Sequence, residues 1–331
     1  MAEGSIATAP SPGAPSVDQE MFFGFTRPQA AAFLALVVIV VASPFVVYPF
    51  FLMKLLCFAL FACAFNLLIG YVGLLSFGHA AYFGMGAYVS GYAAKEWGVT
   101  PEVAILLGGA TGALLGIPFG WLAIRRTGIY FAMITLALAQ MVYFFCVQAP
   151  FTGGEDGIQA IPRGHLFGIF DLDSDFAMYW VVAGVFLGGF LLIHRVVHSP
   201  FGQVLKAIRD NEPRAISLGY RTDDYKLMAF VLSAGIAGLA GAVKALAMKI
   251  ATLTDVLWTM SGEVVLMSLV GGLGTIFGPV AGAAVIVTMQ TYLAEFGAWV
   301  LVIQGVIFIA AVLAFRRGLV GEIGNLLKVK L

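Results

Sequence analysis

Long apolar runs alternate with short polar connections along most of the chain, a pattern that reads as membrane-length helices joined by loops. Spans are predicted at 29–48, 51–70, 76–94, 103–124, 129–148, 176–197, 226–249, 262–275, 277–294 and 298–315. A crossing takes roughly 20 residues of helix, and the eighth span is too short and too rich in glycine for an ordinary one. Ser261-Gly262-Glu263 opens it and Gly271-Gly272-Leu273-Gly274 closes it. That composition predicts a broken or re-entrant segment, which lipid tolerates only where neighbouring protein covers the backbone. The expected fold is all-α, a polytopic transmembrane helix bundle of about ten membrane segments with one of them short or broken.

Small residues refine this picture. Gly108, Gly112, Gly116 and Gly120 recur at four-residue intervals on one helix face. In lipid, where burial of apolar surface supplies no drive, close backbone approach at such faces holds helices together, so the ladder predicts tight packing against another membrane helix. Gly78, Tyr82, Gly86, Ser90 and Ala94 form a similar line, as do Ser233, Ala237, Gly241 and Ala245, and Gly274, Gly278 and Gly282.

Composition agrees with a membrane protein: 61% of residues are hydrophobic and 11% charged, and mean hydropathy is +0.97. Cys57, Cys63 and Cys146 lie inside apolar spans, and neither a disulfide nor a metal site is suggested by their spacing; they read as small core side chains. Residues 1–27 are rich in Ala, Pro, Ser and Gly without a basic stretch leading into an apolar one, which predicts a disordered cytoplasmic tail rather than a signal peptide. Residues 28–320 form the expected membrane domain and 321–331 a C-terminal cytoplasmic tail.

Lys and Arg total 18, as do Asp and Glu, yet their distribution is uneven. Arg125 and Arg126, the set Arg195, Lys206, Arg209, Arg214, Arg221 and Lys226, and Arg316, Arg317, Lys328 and Lys330 mark three regions as cytoplasmic. The 150–175 connection is acidic and falls on the opposite side, so both termini are expected inside. No basic patch beyond these flanking loops points to nucleic acid.

Residues 199–220 carry the most structured loop. Asp210 or Asn211 suits an N-cap, Pro213 the first helical turn and Gly219 a left-handed stop, so two short helices are predicted at the membrane surface. A solvated connection satisfies the charge rule alone; a capped helix offers in addition a rigid surface for a soluble partner, and a docking element is preferred. Within the spans, Asn66, Ser76 and His79 must face protein or a watery path because unsatisfied polar groups are costly there. A bond to a neighbouring backbone carbonyl accounts for such residues more often than a ligand does. Lys54, Lys244, Lys249, Glu263 and Glu295 lie mostly toward span ends, where snorkelling is expected; for Glu263, at the mouth of the broken segment, a gating or substrate-side role is the alternative. Thr152-Gly153-Gly154-Glu155-Asp156-Gly157 follows a helix and carries two acids, so it is not a phosphate loop. No Gly-Lys dipeptide occurs and hence no Walker A sequence; ATP hydrolysis would need another subunit.

The segments Gly70–Tyr88, Thr152–Ile158, Arg209–Gly219 and Gly271–Gly282, in that order, resemble the permeases of the branched-chain amino-acid ABC importers, specifically the M-type subunit, over about residues 30–320. The resemblance implies a translocation subunit, not an enzyme, in a bacterial inner membrane. Its implied partners are a homologous second permease, two cytoplasmic ATPase subunits that use ATP and Mg, and a periplasmic substrate-binding protein, with no cofactor or metal bound by this chain. It assigns ATPase coupling to Arg209, Asp210, Asn211, Glu212, Pro213, Arg214, Ala215 and Gly219, although Pro213-Arg214-Ala215 stands where the family is rich in alanine. It assigns a translocation path to Asn66, Ser76, His79, Gly271, Gly272 and Gly274, and Glu263 joins them by its position at the mouth of the broken segment. Relatives carrying urea, amides or aromatic acids share these motifs, and a sugar permease is the nearest rival. An ion-coupled secondary transporter would show paired broken helices with charges at mid-membrane. Ser76 and His79, three apart, offer an intramembrane enzyme no third group.

Overall fold

The computed structural model describes residues 27–168, 170–294, 297, 299–314 and 318–326. The expected N-terminal tail up to residue 26, Glu295, Arg316, Arg317, Lys328 and Lys330 lie outside the described residues. The helices are α1 (Arg27–Ala42), α2 (Pro49–Tyr71), α3 (His79–Glu96), α4 (Pro101–Ala123), α5 (Ile129–Gln148), α6 (Asp175–His198), α7 (Pro200–Asp210), α8 (Glu212–Ser217), α9 (Thr222–Met248), α10 (Trp258–Gly271), α11 (Gly278–Tyr292), α12 (Trp299–Ala314) and α13 (Gly318–Leu326). Prolines open α2, α4, α7, α8 and α11 within the first two positions, where a missing N–H costs nothing. Five helices (α2, α4, α5, α6 and α9) are long and apolar enough to cross a membrane. The apolar windows of α2 and α9 are 83% and 67% buried, against 39%, 33% and 39% for α4, α5 and α6, so α2 and α9 form the centre of an all-α membrane bundle. The helix α13 runs across residue 321, where a tail was expected.

The glycine ladder of α4 lies against α9. A Cβ at Gly112 would strike the Ala234 carbonyl oxygen and reach 3.0 Å from the Gly238 Cα; at Gly116 it would meet the Ala234 Cβ at 2.8 Å, and at Gly120 the Phe230 ring at 2.8 Å. Gly86 of α3 meets the same Gly238 from another side, and Gly241 abuts the Phe83 carbonyl. Three helices therefore approach one another at backbone distance around Gly238, contacts that any larger side chain blocks.

Two interruptions depart from plain crossings. The expected start of α3 at residue 76 moves to His79: residues 72–78 are non-helical, and the Ser76 hydroxyl accepts from the Gly78 N–H at 3.2 Å, a local bond that competes with helix. Ser76 is thus not on a helix face with His79. Backbone donors left without intrahelical partners at this start find them on other helices, Phe77 N–H on the Thr135 hydroxyl at 3.1 Å and Ala80 N–H on the Ser261 hydroxyl at 2.9 Å. The second interruption separates α10, 14 residues long, from α11, 15 residues long. The break begins at Gly272, with φ 124°, and passes through Gly274, with φ 72°, so Gly274 belongs to the break while Gly278 and Gly282 pack on α10.

At the opposite end of the bundle, strand β1 (Ile158–Gln159) pairs antiparallel with β4 (Ile250–Ala251), and β2 (His165–Leu166) with β3 (Phe170–Asp171). The first pair ties the acidic 150–175 connection to the end of α9.

Candidate functional site: coupling element and interior polar clamp

Ser199 both ends α6, donating to the Val196 carbonyl at 2.7 Å, and caps α7, accepting from Gly202 N–H at 3.3 Å. Asn211 caps α8 through its Oδ1, which accepts from Arg214 N–H at 3.0 Å. Gly219 follows α8 with φ 89°, a conformation that favours glycine. The resulting two-helix element is bolted to the bundle twice. Arg209 donates from Nη1 to the Gly70 carbonyl at the end of α2 at 2.5 Å, while its Nε and Nη2 hold Asp210. Glu212 pairs with the buried Lys226 of α9 and accepts from the Thr222 hydroxyl at 3.2 Å. Lys206 lies 5.7 Å over the Tyr71 ring, and burial, with Arg209 nearby, holds its ammonium below the ordinary lysine pKa. Asp210, Asn211, Pro213 and Arg214 are exposed and Ala215 is buried. Beside them stand exposed Ile216 and Leu218.

One helical turn from Gly70, Asn66 reaches the second interruption. Its Nδ2 donates to the Thr275 carbonyl at 2.9 Å, and its Oδ1 accepts from Gly274 N–H at 3.0 Å. A Cβ at Gly70 would meet Gly274 N at 2.7 Å, and Arg209 Nη1 lies 3.5 Å from the Cβ position of Gly274. Arg209, Gly70, Asn66 and the 272–277 break thus form one contiguous contact chain from α7 into the bundle. Gly271 and Gly272 border it, Gly271 against Gly278 and Gly272 against Gly318 of α13.

Two other candidates are enclosed by protein, although the buried His79 Nδ1 has no hydrogen-bond partner among the described residues. His79 Nε2 lies 2.8 Å from the Ser233 hydroxyl, which itself donates to the Ala64 carbonyl, so the histidine proton sits on Nε2. Phe65, Tyr82 and Phe230 enclose its ring edge-on. Its partner is a hydroxyl and not the carbonyl expected of a packed histidine. Ser76 is buried in its own turn.

The cations and acids near span ends do not all snorkel. Lys244 points into the bundle, bonding both carboxylate oxygens of the buried Asp255 at 2.9 and 2.7 Å, because Asp255 returns beneath the end of α9 within a capped turn that also uses Thr252 N–H at 3.1 Å. Lys249 reaches only an exposed contact with Asp173 at 3.8 Å. Glu263 sits in α10 and lines one cavity with Lys54 and Gln290. Arg163, 3% exposed, pairs with Asp175 at 2.7 Å and donates to the Ala247 carbonyl at 2.7 Å.

The family model described as branched-chain amino acid transport system / permease component matches residues 47–312 of the 331. The chain belongs to this family. It is 26% identical to the high-affinity branched-chain amino acid transport system permease protein LivM of Salmonella typhimurium, over 93% of this chain and 78% of that protein. It is likewise 26% identical to LivM of Escherichia coli, with the same coverage. It is 25% identical to the probable branched-chain amino acid transport permease protein LivH of Methanocaldococcus jannaschii, over 74% of this chain and 82% of that one. No solved structure matches significantly. The chain is therefore a multi-pass inner-membrane permease subunit of an ABC importer.

In this permease the structure brings Asn66, Gly271, Gly272, Gly274 and Arg209 together and leaves His79, Ser76 and Glu263 apart from them. Asp255, the partner of Lys244, was not expected, and Ser261, expected only to open the eighth segment, also accepts the Ala80 N–H of α3. In the sequence Arg163 stands only as the lone Lys or Arg of the acidic 150–175 connection. An acid or serine placed just before an apolar run is the sole local signal for the first two.

Proposed function

We propose that this permease forms half of the translocation path of an ATP-driven, binding-protein-dependent importer for branched-chain or other small amino acids. Its partners are a homologous second permease, two cytoplasmic ATPase subunits that bind and hydrolyse ATP with Mg, and a periplasmic binding protein; this chain binds no cofactor. Both termini and residues 199–221 face the cytoplasm. The observation that carries the reading is the α7–α8 element: it exposes Ile216 and Leu218 beside charged residues on a polar loop, while Arg209 and Glu212 fasten it to α2 and α9. Exposed aliphatics on a rigid polar element suit docking of a soluble subunit, and the two fastenings give a push on that element a route into the bundle. The Arg209–Gly70–Asn66 chain would deliver it to the 272–277 break. The amino-acid assignment is supported by the relatives' names and by interior polar groups that suit a small uncharged or zwitterionic solute. In liposomes containing this chain alone, no saturable ATP-independent leucine uptake is expected. The binding protein should be thermally stabilised by leucine, isoleucine or valine; stabilisation by a sugar and by no amino acid overturns the substrate assignment.

A further inference from the structure

Near the ends of α2, α9, α10, α11 and α12 that share a side with the β1–β4 pair lies a cavity of about 540 Å³, within the roughly 300–1,000 Å³ range of small-molecule sites. Its polar lining is Lys54, Glu263, Gln290 and Gln304, together with the Lys244–Asp255 pair and Thr254; Phe50, Phe58, Met248 and Met260 supply apolar wall. The charges in it are not equivalent. Lys244 and Asp255 neutralise each other through two short bonds. Lys54 and Glu263 act on each other electrostatically across the cavity, yet neither is in an ion pair among the described residues.

A cation and an anion half-buried in a membrane bundle carry a desolvation cost that direct contact would relieve. Held apart on different helices, they keep their unmet charge turned toward the space between them. An amino acid carries the complement in one small molecule, a carboxylate and an ammonium on the same carbon, with a side chain that must go elsewhere. The phenylalanine and methionine walls offer an aliphatic chain a dry surface, and methionine adapts to chains of differing branching. Gln290 lines the same cavity as Glu263 and brings an amide oxygen able to accept from an ammonium.

We propose that this cavity is the permease's own binding site for an aliphatic α-amino acid, with Lys54 receiving the carboxylate, Glu263 and Gln290 the ammonium, and the Phe50, Phe58, Met248 and Met260 wall the side chain. The inference rests on the amino-acid reading above and adds a residue-level site to it. Lys54, Glu263 and Gln290 are then ligand-binding residues.

The test is equilibrium binding of radiolabelled leucine to the assembled permease–ATPase complex in nanodiscs without binding protein. Competitors are 4-methylpentanoate, which keeps only the carboxylate, isoamylamine, which keeps only the ammonium, and phosphoethanolamine as a lipid head group. Weak saturable leucine binding is expected, with each single-charge analogue at least tenfold poorer. Lys54→Gln and Glu263→Gln should each weaken leucine binding at least tenfold at wild-type thermal stability, and Glu263→Asp should recover part of it. The wild-type analogue series stands even if a variant fails to fold. Absent saturable binding, equal binding of 4-methylpentanoate, tighter binding of phosphoethanolamine, or undiminished binding in both folded Gln variants each overturns the site. Leucine import by the complete transporter together with any of these results removes the site and leaves the permease reading intact. Failure of the complete transporter to import any amino acid removes both.

Discussion

Asn66→Ala tests the contact between α2 and the 272–277 break directly. The substitution deletes two hydrogen bonds, of 2.9 and 3.0 Å, made by a side chain that is 3% exposed. It leaves the Gly274 N–H and Thr275 carbonyl without that partner in a site with little access to water. In soluble proteins each such loss costs about 1–3 kcal/mol, whereas bonds between membrane helices average about 0.6 and reach about 1.7 kcal/mol. Two bonds place the expected loss at about 1–3 kcal/mol. The break keeps its own shape, because Thr275 Oγ1 still donates to the Gly272 carbonyl at 2.8 Å and accepts from Gly278 N–H at 3.1 Å; what weakens is its attachment to α2. Cys57, Cys63 and Cys146 are all buried, so a thiol-reactive dye reports unfolding in detergent. A fall of several degrees is expected, at roughly 2–4 °C per kcal/mol. Asn66→Asp should fall further at neutral pH, because a carboxylate faces the Thr275 carbonyl where a donor stood, and the gap to Ala should narrow as acid protonates it. Wild-type melting in both variants refutes the clamp.

Gly112→Leu should lower the same melting temperature by more than Asn66→Ala, since even a Cβ there collides with the α9 backbone; Gly184→Leu, where nothing lies within 4 Å, should leave it unchanged in the isolated chain. Lys244→Met strands a buried carboxylate and should cost about 3–5 kcal/mol, most of which returns in the Lys244→Met/Asp255→Leu double variant; equal damage in single and double variants contradicts the pairing. Gly219→Val forces a β-branched residue into φ 89° at a local cost of about 1–2 kcal/mol, so membrane insertion should be normal and ATPase co-purification reduced. Full association and transport in that variant would make residues 210–219 a simple connection.

The ten apolar elements were legible because length, apolarity and proline position are local properties. The caps of α7 and α8 were legible for the same reason: Ser199, Asn211 and Pro213 act within three residues of where they stand. Asn66 stood out as a polar residue in an apolar run, but its partners lie 208 and 209 residues away and no periodicity points to them. Lys244 misled because position near a helix end suggests snorkelling, while the chain doubles back to place Asp255 beneath it. The start of α3 was misplaced because Ser76 turns the backbone locally and the helix takes its cap from Ser261, 181 residues on.

As proposed above, this chain moves substrate only as driven by ATPase subunits working through the α7–α8 element. The most direct measurement is leucine accumulation in proteoliposomes containing this permease, its homologous partner, the ATPase pair and the binding protein. Accumulation should require ATP and every component, persist when ionophores collapse the ion gradients, and be lost when Arg209 and Glu212 are both replaced by Ala. Uptake that survives removal of the ATPase subunits and follows an ion gradient contradicts it.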